Sequence, residues 1–308
     1  MTARPPFTVA VCTRGRPHAL PACLLSVAAQ REDGDELLVV HNDERDDGTA
    51  AAAEAAGARL VREPRPGLDR ARNRALAEAR NELVAFLDDD ARAEPGWLAA
   101  LARGFDREEV SCVTGRVLAA ELRTDAQRLF EACKSFDRGT EVRRFHRNYR
   151  APFFPVRAGI MGTGCNMACR REVGRRLGFD PALDVGTPAR GCGDLDFYYR
   201  VIRAGGEVVY RPDAVVRHVH RDSIEALRRL RYDYGVGSAA FAWKCMTEHR
   251  DPKAPLFLAW KILFHVAEIA AGTLRLRRWP PGLAWQELRG MFAGPRALAR
   301  ARREERGA

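Results

Sequence analysis

The chain has 308 residues, of which 46% are hydrophobic, and this composition excludes a mainly disordered protein. The formal net charge is +10, but nearly all the basic residues are arginines in an alanine-rich chain, so we do not expect a nucleic-acid partner from charge alone. The eight cysteines are scattered without a C-x-x-C pair, and the N-terminus enters a strand directly. We therefore expect a cytoplasmic protein without disulfides or a zinc site.

The first 120 residues alternate between strand and helix patterns. Short apolar runs predict strands, and segments with helical spacing predict helices, the first of them opened by Pro17. The predicted strands are 7–12, 36–40, 59–62, 83–87 and 110–118, and the helices are 17–30, 49–56, 68–80 and one that begins at 95–97. Four such alternations predict an α/β fold with a mostly parallel sheet covered by helices on both faces.

The second half is less regular. It contains a polar loop, a glycine-dense strand, two helices, two late strands and then a helical, basic end. These are predicted at 138–157 (loop), 159–168 (strand), 171–177 and 195–204 (helices), 207–210 and 214–219 (strands), 223–234 (helix, ended by Gly235) and 255–274 (helix). We therefore divide the chain into an α/β domain, 1–222, with halves of about 1–120 and 121–222, and a helical extension, 223–308.

Three polar clusters follow predicted strands: Thr13-Arg14, His41-Asn42-Asp43 and Asp88-Asp89-Asp90. In parallel sheets, ligands bind outside the carboxyl ends of the strands, so we expect the clusters to lie at one edge. Three adjacent carboxylates repel one another unless a cation lies among them. Oxygen ligands of this kind suit Mg²⁺ or Mn²⁺, although a solvated acidic turn is the alternative for the triplet alone.

An ordered set of motifs over about residues 7–220 resembles the family 2 glycosyltransferases, which are inverting, nucleotide-sugar-dependent enzymes with the GT-A fold. The matching segments are residues 11–14, 65–68, 71–73, 86–90, 95–97, 162–167 and 193–196, together with His218. The resemblance implies a Rossmann-like GT-A domain that transfers a sugar from a UDP, GDP or dTDP donor to a hydroxyl acceptor, which could be a glycan, a lipid or a small molecule.

The resemblance also implies a divalent metal, Mn²⁺ or Mg²⁺, at the D-x-D motif. Asp90 is then the metal ligand, while Asp88 or Asp89 approaches the ribose or the sugar. His218 is expected as a further ligand, and imidazole favours Mn²⁺ over Mg²⁺. His220 lies two residues further along the same predicted strand, so the sequence does not separate the two histidines.

Asp194 is the general base that the resemblance implies. It opens a predicted helix, so a structural role as an N-cap is the alternative. The family usually has Glu-Asp here, whereas this chain has Gly193 before Asp194. Either acceptor binding therefore differs from that of the family, or Asp196 compensates for the missing carboxylate.

The remaining predicted contacts concern the donor. Thr13 and Arg14 are expected near the nucleotide. Because His41 replaces the usual base-reading Asp of the family, base recognition is assigned to Asn42 or Asp43. By resemblance, Arg72 and Asn73 lie near the diphosphate, and Gly162, Thr163 and Gly164 shape the sugar pocket, with a simple turn as the alternative for the glycines.

Two other functions stay open at this point. A sugar nucleotidyltransferase would also use an α/β sheet and metal-bound aspartates, but the loop after the first strand has only one glycine, Gly15, which counts against it. A degenerate scaffold that binds nucleotide or glycan without catalysis is the other alternative, because His41 and Gly193 depart from the family pattern.

The apolar segment 255–274 is interrupted by Lys261, His265 and Glu268, which fall on one stripe of a helix. Three ionisable groups argue against a simple transmembrane span. We expect the helix to dock on the catalytic domain. Contact with a bilayer surface beside Arg275, Arg277 and Arg278, aided by the solvated basic tail 296–306, is the alternative.

Overall fold

The computed structural model describes residues 4–16, 18–43, 48–134, 136–274 and 280–307. Within these ranges the strands are β1 (Phe7–Thr13), β2 (Glu36–His41), β3 (Arg59–Arg62), β4 (Leu83–Asp88), β5 (Ala91–Ala93), β6 (Val110–Ala119), β7 (Arg143–Phe145), β8 (Asn166–Arg170) and β9 (Glu207–His218). They form one sheet in the order β3-β2-β1-β4-β8-β6-β9-β5, and β7 also pairs with β9.

Helices cover this sheet and extend beyond it. They are α1 (Leu20–Ala28), α2 (Thr49–Ala55), α3 (Leu68–Glu78), α4 (Trp97–Ala102), α5 (Asp125–Lys134), α6 (Arg171–Leu177), α7 (Gly193–Arg203), α8 (Ile224–Thr247), α9 (Lys253–Thr273) and α10 (Pro281–Gly307). The predicted α/β class is confirmed.

The first four strands have the predicted parallel arrangement. β1 lies between β2 and β4, with Thr13 opposite His41 and Cys12 opposite Asp88. The polar clusters that follow these strands therefore meet at one edge of the sheet, because parallel strands end on the same side. Beyond β4 the sheet is mixed, since β8 runs antiparallel to both β4 and β6.

The late strands differ from prediction in a way that matters for the site. Residues 207–218 form one strand, β9, rather than two, and β9 pairs with the short strand β5 so that His218 lies opposite Ala91. Since Ala91 directly follows the acidic triplet, this pairing brings a distant histidine to the carboxylates. β5 has only three residues and no strand pattern of its own, so it was not predicted.

Several boundaries also differ. Pro17, predicted to open the first helix, lies outside the described residues, and α1 begins at Leu20. Only the end of the predicted strand 159–168 is extended, because residues 158–160 form a 3₁₀ turn and β8 starts at Asn166. The predicted loop 138–157 contains β7, and α5 was not predicted.

The C-terminal helices share a core with the α/β part. Ala240 and Phe241 of α8 and Leu298 of α10 pack in the same buried cluster as Phe179 and Tyr199. The helix predicted to dock, 255–274, corresponds to α9, and its N-terminal end reaches this core through Ala254 and Phe257. The basic tail 296–306 belongs to α10 and is not a free run, because Leu298 and Ala301 are buried.

Candidate functional site

Asp88, Asp90 and His218 form a cluster whose possible ligand atoms all lie within 4.8 Å of one another. Asp88 ends β4, Asp90 precedes β5, and His218 ends β9. Oδ1 of Asp90 lies 3.2 Å from Nε2 of His218, yet this oxygen and Nδ1 of the histidine make no hydrogen bond within the described chain. Two carboxylates and an imidazole with unused buried ligand atoms fit a divalent cation such as Mn²⁺.

The three carboxyl groups differ in acidity. Burial raises the pKa of Asp88, and it raises the pKa of Asp89 to about 6 against the opposing charge of Arg16. Burial also acts on Asp90, but contact with His218 and the charge of Arg16 outweigh it and lower the pKa of Asp90 to about 2. Asp90 therefore has the lowest pKa of the three carboxyl groups and ionises most readily.

The triplet is supported by the loop after β1. Thr13 Oγ1 donates a hydrogen bond to Asp89 at 2.8 Å, and Arg16 pairs with Asp89 at 3.0 Å and also with Asp90. Thr13 is thus a buried support for the acidic turn. Arg14 is half-exposed at the same edge, with its Nε 3.8 Å from Oδ2 of Asp43. Arg16 was missed by sequence reasoning, although it lies two residues beyond the predicted Arg14.

Arg72 is the cation at the centre of the site. It is 5% exposed, and its guanidinium lies 3.5 Å from Asp88 and 3.3 Å from Asp69. The Cζ atom of Arg72 also lies over the ring of Phe179, 5.4 Å from its centroid. Burial would lower the pKa of Arg72, but the surrounding charges of Asp88, Asp69 and Asp194 raise it. Arg72 therefore connects the Asp88–Asp90–His218 cluster with Asp194, the candidate base.

Asp194 lies on the same side of the molecule as the cluster. It is the second residue of α7, and Cys192 occupies the cap position, so Asp194 is not an N-cap. Its Oδ2 accepts a hydrogen bond from the backbone N–H of Gly164 at 2.7 Å. A Cβ on Gly164 would lie 2.8 Å from Arg72 and 2.9 Å from Asp194, so the glycine separates the two side chains.

The other glycine of the predicted sugar pocket has a packing role. Gly162 has a φ of 139°, and a Cβ there would lie 2.5 Å from Thr114 of β6. Thr163 contacts Cys165 through its hydroxyl, at 3.0 Å. Of this segment, Gly164 is the residue that the structure places against Asp194.

Asn42 and Asn73 were predicted to contact the nucleotide-sugar donor, and the structure gives both of them a different role. Asn42 does not face a ligand, because its amide donates to the carbonyls of Glu63 and Arg65 and accepts from the N–H of Gly67. Asn73 makes two hydrogen bonds to the backbone of Phe179. Both amides are thus engaged in tying loops to the fold.

Asp196 is corrected as well. It is fully buried, and its carboxylate pairs with Arg200 and with Lys244, each at 2.7 Å. On a helix, residues two apart point in different directions, so Asp196 lies behind Asp194 rather than beside it. It cannot act as the compensating acidic group of the acceptor site.

A different carboxylate lies next to Gly193. A Cβ on this glycine would be only 1.7 Å from Oδ2 of Asp69, which is buried and has no hydrogen bond partner within the described chain. Burial and the nearby charge of Asp184 raise the pKa of Asp69 well above its usual range. Asp69 was not predicted, although it lies three residues before Arg72, on the same face of α3.

The structure also separates the two histidines. His220 Nε2 lies 2.6 Å from Glu131 of α5, and the His220 ring packs on Phe130 and Phe136. His218 is therefore the histidine beside Asp90. The sequence could not decide this, because the partner of His220 is on a helix that was not predicted.

Residues 8–178 match the family model described as Glycosyl transferase family 2. The chain belongs to this family.

Curated relatives of this family 2 chain are distant. A stretch of 204 residues is 29% identical to the pre-mycofactocin glycosyltransferase of Mycobacterium tuberculosis strain H37Rv, covering 66% of this chain and 40% of that protein. The chain thus spans less than half the length of this relative. A stretch of 241 residues is 29% identical to the succinoglycan biosynthesis protein ExoM of Rhizobium meliloti strain 1021, covering 74% and 72% of the two chains.

Solved structures of similar fold include nucleotide-sugar complexes. The mannosyltransferase PcManGT from Pyrobaculum calidifontis, in complex with GDP-Man and Mn²⁺, has a TM-score of 0.61 at 20% identity over 95% of this chain and 86% of that chain. Glucosyl-3-phosphoglycerate synthase from Mycobacterium tuberculosis, with Mn²⁺, UDP-glucose and phosphoglyceric acid, has a TM-score of 0.53 at 20% identity over 80% and 81%. These likenesses confirm the GT-A fold.

Proposed function

We propose that this chain is a metal-dependent, inverting glycosyltransferase that moves a sugar from a nucleoside-diphosphate sugar to a hydroxyl acceptor. The observation that carries the proposal is the placement of Asp194 and the Asp88–Asp90–His218 cluster around one buried guanidinium, that of Arg72. A base and an anchor for the diphosphate are needed on either side of the transferred sugar.

The proposed reaction is a single displacement. The acceptor hydroxyl gives its proton to the Asp194 carboxylate while its oxygen forms a bond to the anomeric carbon. The bond between that carbon and the diphosphate oxygen breaks at the same time, so the anomeric configuration is inverted. The hydrogen bond from Gly164 orients the Asp194 carboxylate, and Arg72 supplies positive charge between the base and the cluster.

Asp88, Asp90 and His218 would hold the divalent cation, with Mn²⁺ favoured over Mg²⁺ by the imidazole. Such a cation supplies Lewis-acid stabilisation for the charge on the diphosphate. Proteins of similar fold have been solved with GDP-Man or UDP-glucose together with Mn²⁺, which supports a GDP or UDP donor here, and dTDP is the third nucleotide to be tested.

The test begins with donor binding. The melting temperature is measured with UDP, GDP and dTDP, each with and without Mn²⁺, and one nucleotide is expected to raise it more when Mn²⁺ is present. His218→Gln should remove the Mn²⁺-dependent part of the rise. His220→Gln is the matched control, because this histidine lies two residues away and pairs with Glu131.

Sugar transfer from the matching donor series is then measured in Asp194→Asn. This variant should keep the metal-dependent rise and lose transfer by about 100-fold or more, since an amide cannot accept the proton. Full turnover by the variant would remove Asp194 from the mechanism. If nucleotide raised the melting temperature of the wild type equally with and without Mn²⁺, the result would instead favour the non-catalytic scaffold.

A further inference from the structure

Helix α9 presents three of its ionisable groups, Lys261, His265 and Glu268, to the protein. Lys261 Nζ donates to Ser238 Oγ of α8 at 3.0 Å and lies 3.2 Å from Glu287 of α10. His265 is fully buried between Glu268 and Glu287, at 3.1 and 3.2 Å. We call Lys261, His265 and Glu268 the inner stripe. Lys261 and His265 fix the orientation of α9 through these contacts with α8 and α10, and Glu268 contacts His265 on the same helix.

The opposite side of α9 is apolar and faces outward. Leu256, Leu263, Phe264 and Val266 are 61%, 67%, 38% and 49% exposed, and the exposed positions between and after them are alanines up to Thr273. Lys253, the first residue of the helix, is the one exposed charge along α9. A water-facing helix normally has the reverse arrangement, with charged residues outside and apolar residues inside.

The helix is 21 residues long and apolar enough by length and composition to cross a membrane, with 17% of its apolar window buried. The inner stripe nevertheless holds one side of α9 against α8 and α10. Helix α10 also has exposed arginines at positions 289, 296 and 300. A helix held in this way can lie parallel to a bilayer surface, with its outer side at the boundary between the headgroups and the acyl chains. Its contacts with α8 and α10 are then kept.

The charge of the region indicates the kind of surface. From residue 253 to the end the sequence has eleven Lys and Arg residues and four Glu residues. Arg275, Arg277 and Arg278 directly follow α9 in the sequence but lie outside the described residues. An apolar face in a region of net positive charge suits anionic lipid, whereas two copies of this region would repel each other.

We propose that the outer face of α9, defined by Leu256, Leu263, Phe264 and Val266, binds the surface of an anionic lipid bilayer. The catalytic domain is thereby held at a membrane, with α9 lying in the plane of the interface. This attachment goes beyond the proposed sugar transfer and does not depend on it.

The experiment is sedimentation of the full chain with phosphatidylcholine vesicles that contain no anionic lipid or 30% phosphatidylglycerol. The wild type should bind the anionic vesicles and bind the neutral ones at least tenfold more weakly. The double variant Leu263→Glu/Val266→Glu should lose at least tenfold in partitioning to anionic vesicles. Leu25→Glu is the matched control, because Leu25 is 62% exposed on α1, and it should bind like the wild type.

Melting temperatures establish that the variants fold, and light scattering reports their mass. Failure of the wild type to bind anionic vesicles, or equal binding by the double variant, would overturn the proposal. So would a wild-type dimer that the double variant converts to a monomer without any vesicle binding, since a second copy would then be the occupant of this face.

Discussion

The lack of a side chain at position 193 is a steric requirement of this fold. By resemblance, Gly193 replaces an acidic residue, and the sequence offered Asp196 as its substitute. The structure instead places the carboxylate of Asp69 where a side chain on residue 193 would lie. Residues 69 and 193 belong to α3 and α7, the helices that carry Arg72 and Asp194, so contact between them sets the distance across the site.

This contact leads to a steric prediction. Gly193→Ala puts a Cβ 1.7 Å from Oδ2 of Asp69, so either α3 or the start of α7 must move. A shift of about 1 Å at a reacting group can reduce turnover by about 100-fold. We expect that loss in kcat, measured with the matching donor, while the Mn²⁺-dependent rise in melting temperature with nucleotide is kept.

The double variant Asp69→Ala/Gly193→Ala relieves the overlap and should recover part of the lost kcat. Gly159→Ala is the control, because nothing lies within 4 Å of a Cβ at that position. If Gly193→Ala turned over as fast as Gly159→Ala, the backbone would be free to adjust and the contact would not position Asp194.

At this scale the sequence reveals residue types better than side-chain directions. The acidic triplet could be named because it follows a predicted strand, and Arg72, Asp194 and His218 could be named through the resemblance to the family 2 glycosyltransferases. Asn42 and Asn73 could not be assigned, since their partners are backbone groups of distant loops. Such hydrogen bonds depend on where loops meet in three dimensions, and no local pattern encodes that.

At the scale of elements, helix α8 is the instructive case. Gly235 was expected to end a helix at about residue 234, as glycine often does, but α8 continues to Thr247. The glycine is needed for packing, because a Cβ there would lie 2.0 Å from the carbonyl oxygen of Glu287 in α10. Gly290 of α10 approaches Tyr232 of α8 in the same way, so the two backbones touch at small residues.

Substitution at this crossing should therefore destabilise the protein. An alanine in place of glycine inside a helix usually stabilises it by about 0.5–1 kcal/mol. At Gly235 the overlap with backbone atoms should reverse the sign and cost about 1–3 kcal/mol. Chemical denaturation measures the free energy of unfolding of Gly235→Ala and Gly290→Ala.

Gly282→Ala is the control on α10, where a Cβ meets nothing within 4 Å, and it should be neutral or slightly stabilising. Equal effects at positions 235 and 282 would contradict the close crossing.

The sequence predicted the parallel half of the sheet because strand patterns there are strong and regular. It missed β5, β7 and α5, whose formation depends on β9 and on its neighbours.

At the scale of the whole molecule, a buried ionic cluster joins the α/β part to the C-terminal helices. Asp180 pairs with Lys244 of α8 at 2.6 Å and with Arg302 of α10 at 2.7 Å, and Lys244 also contacts Asp196 of α7. These residues are far apart in the sequence. The cluster therefore helps to hold α8 and α10 on the α/β part.

The cluster makes the stability depend on pH in a defined direction. Burial opposes ionisation of Asp180, but the charges of Lys244 and Arg302 outweigh it and hold the pKa of Asp180 below its ordinary value of 3.8. A group whose pKa is lower in the folded state contributes stability above its unfolded pKa. That contribution is lost as the pH falls through the folded pKa.

Asp180→Asn should accordingly reduce the free energy of unfolding by about 3 kcal/mol at pH 7, because Lys244 and Arg302 lose their shared partner. The difference between wild type and variant should begin to shrink when the pH falls below 3.8, the ordinary pKa of the carboxyl, and should be lost as the pH falls through the lower pKa of Asp180 in the folded state. Glu248→Gln removes a more exposed partner of Arg302 and should cost about 1 kcal/mol or less. A gap between wild type and Asp180→Asn that stayed constant from pH 7 to pH 3 would mean that the carboxylate charge does not hold the C-terminal helices on the α/β part.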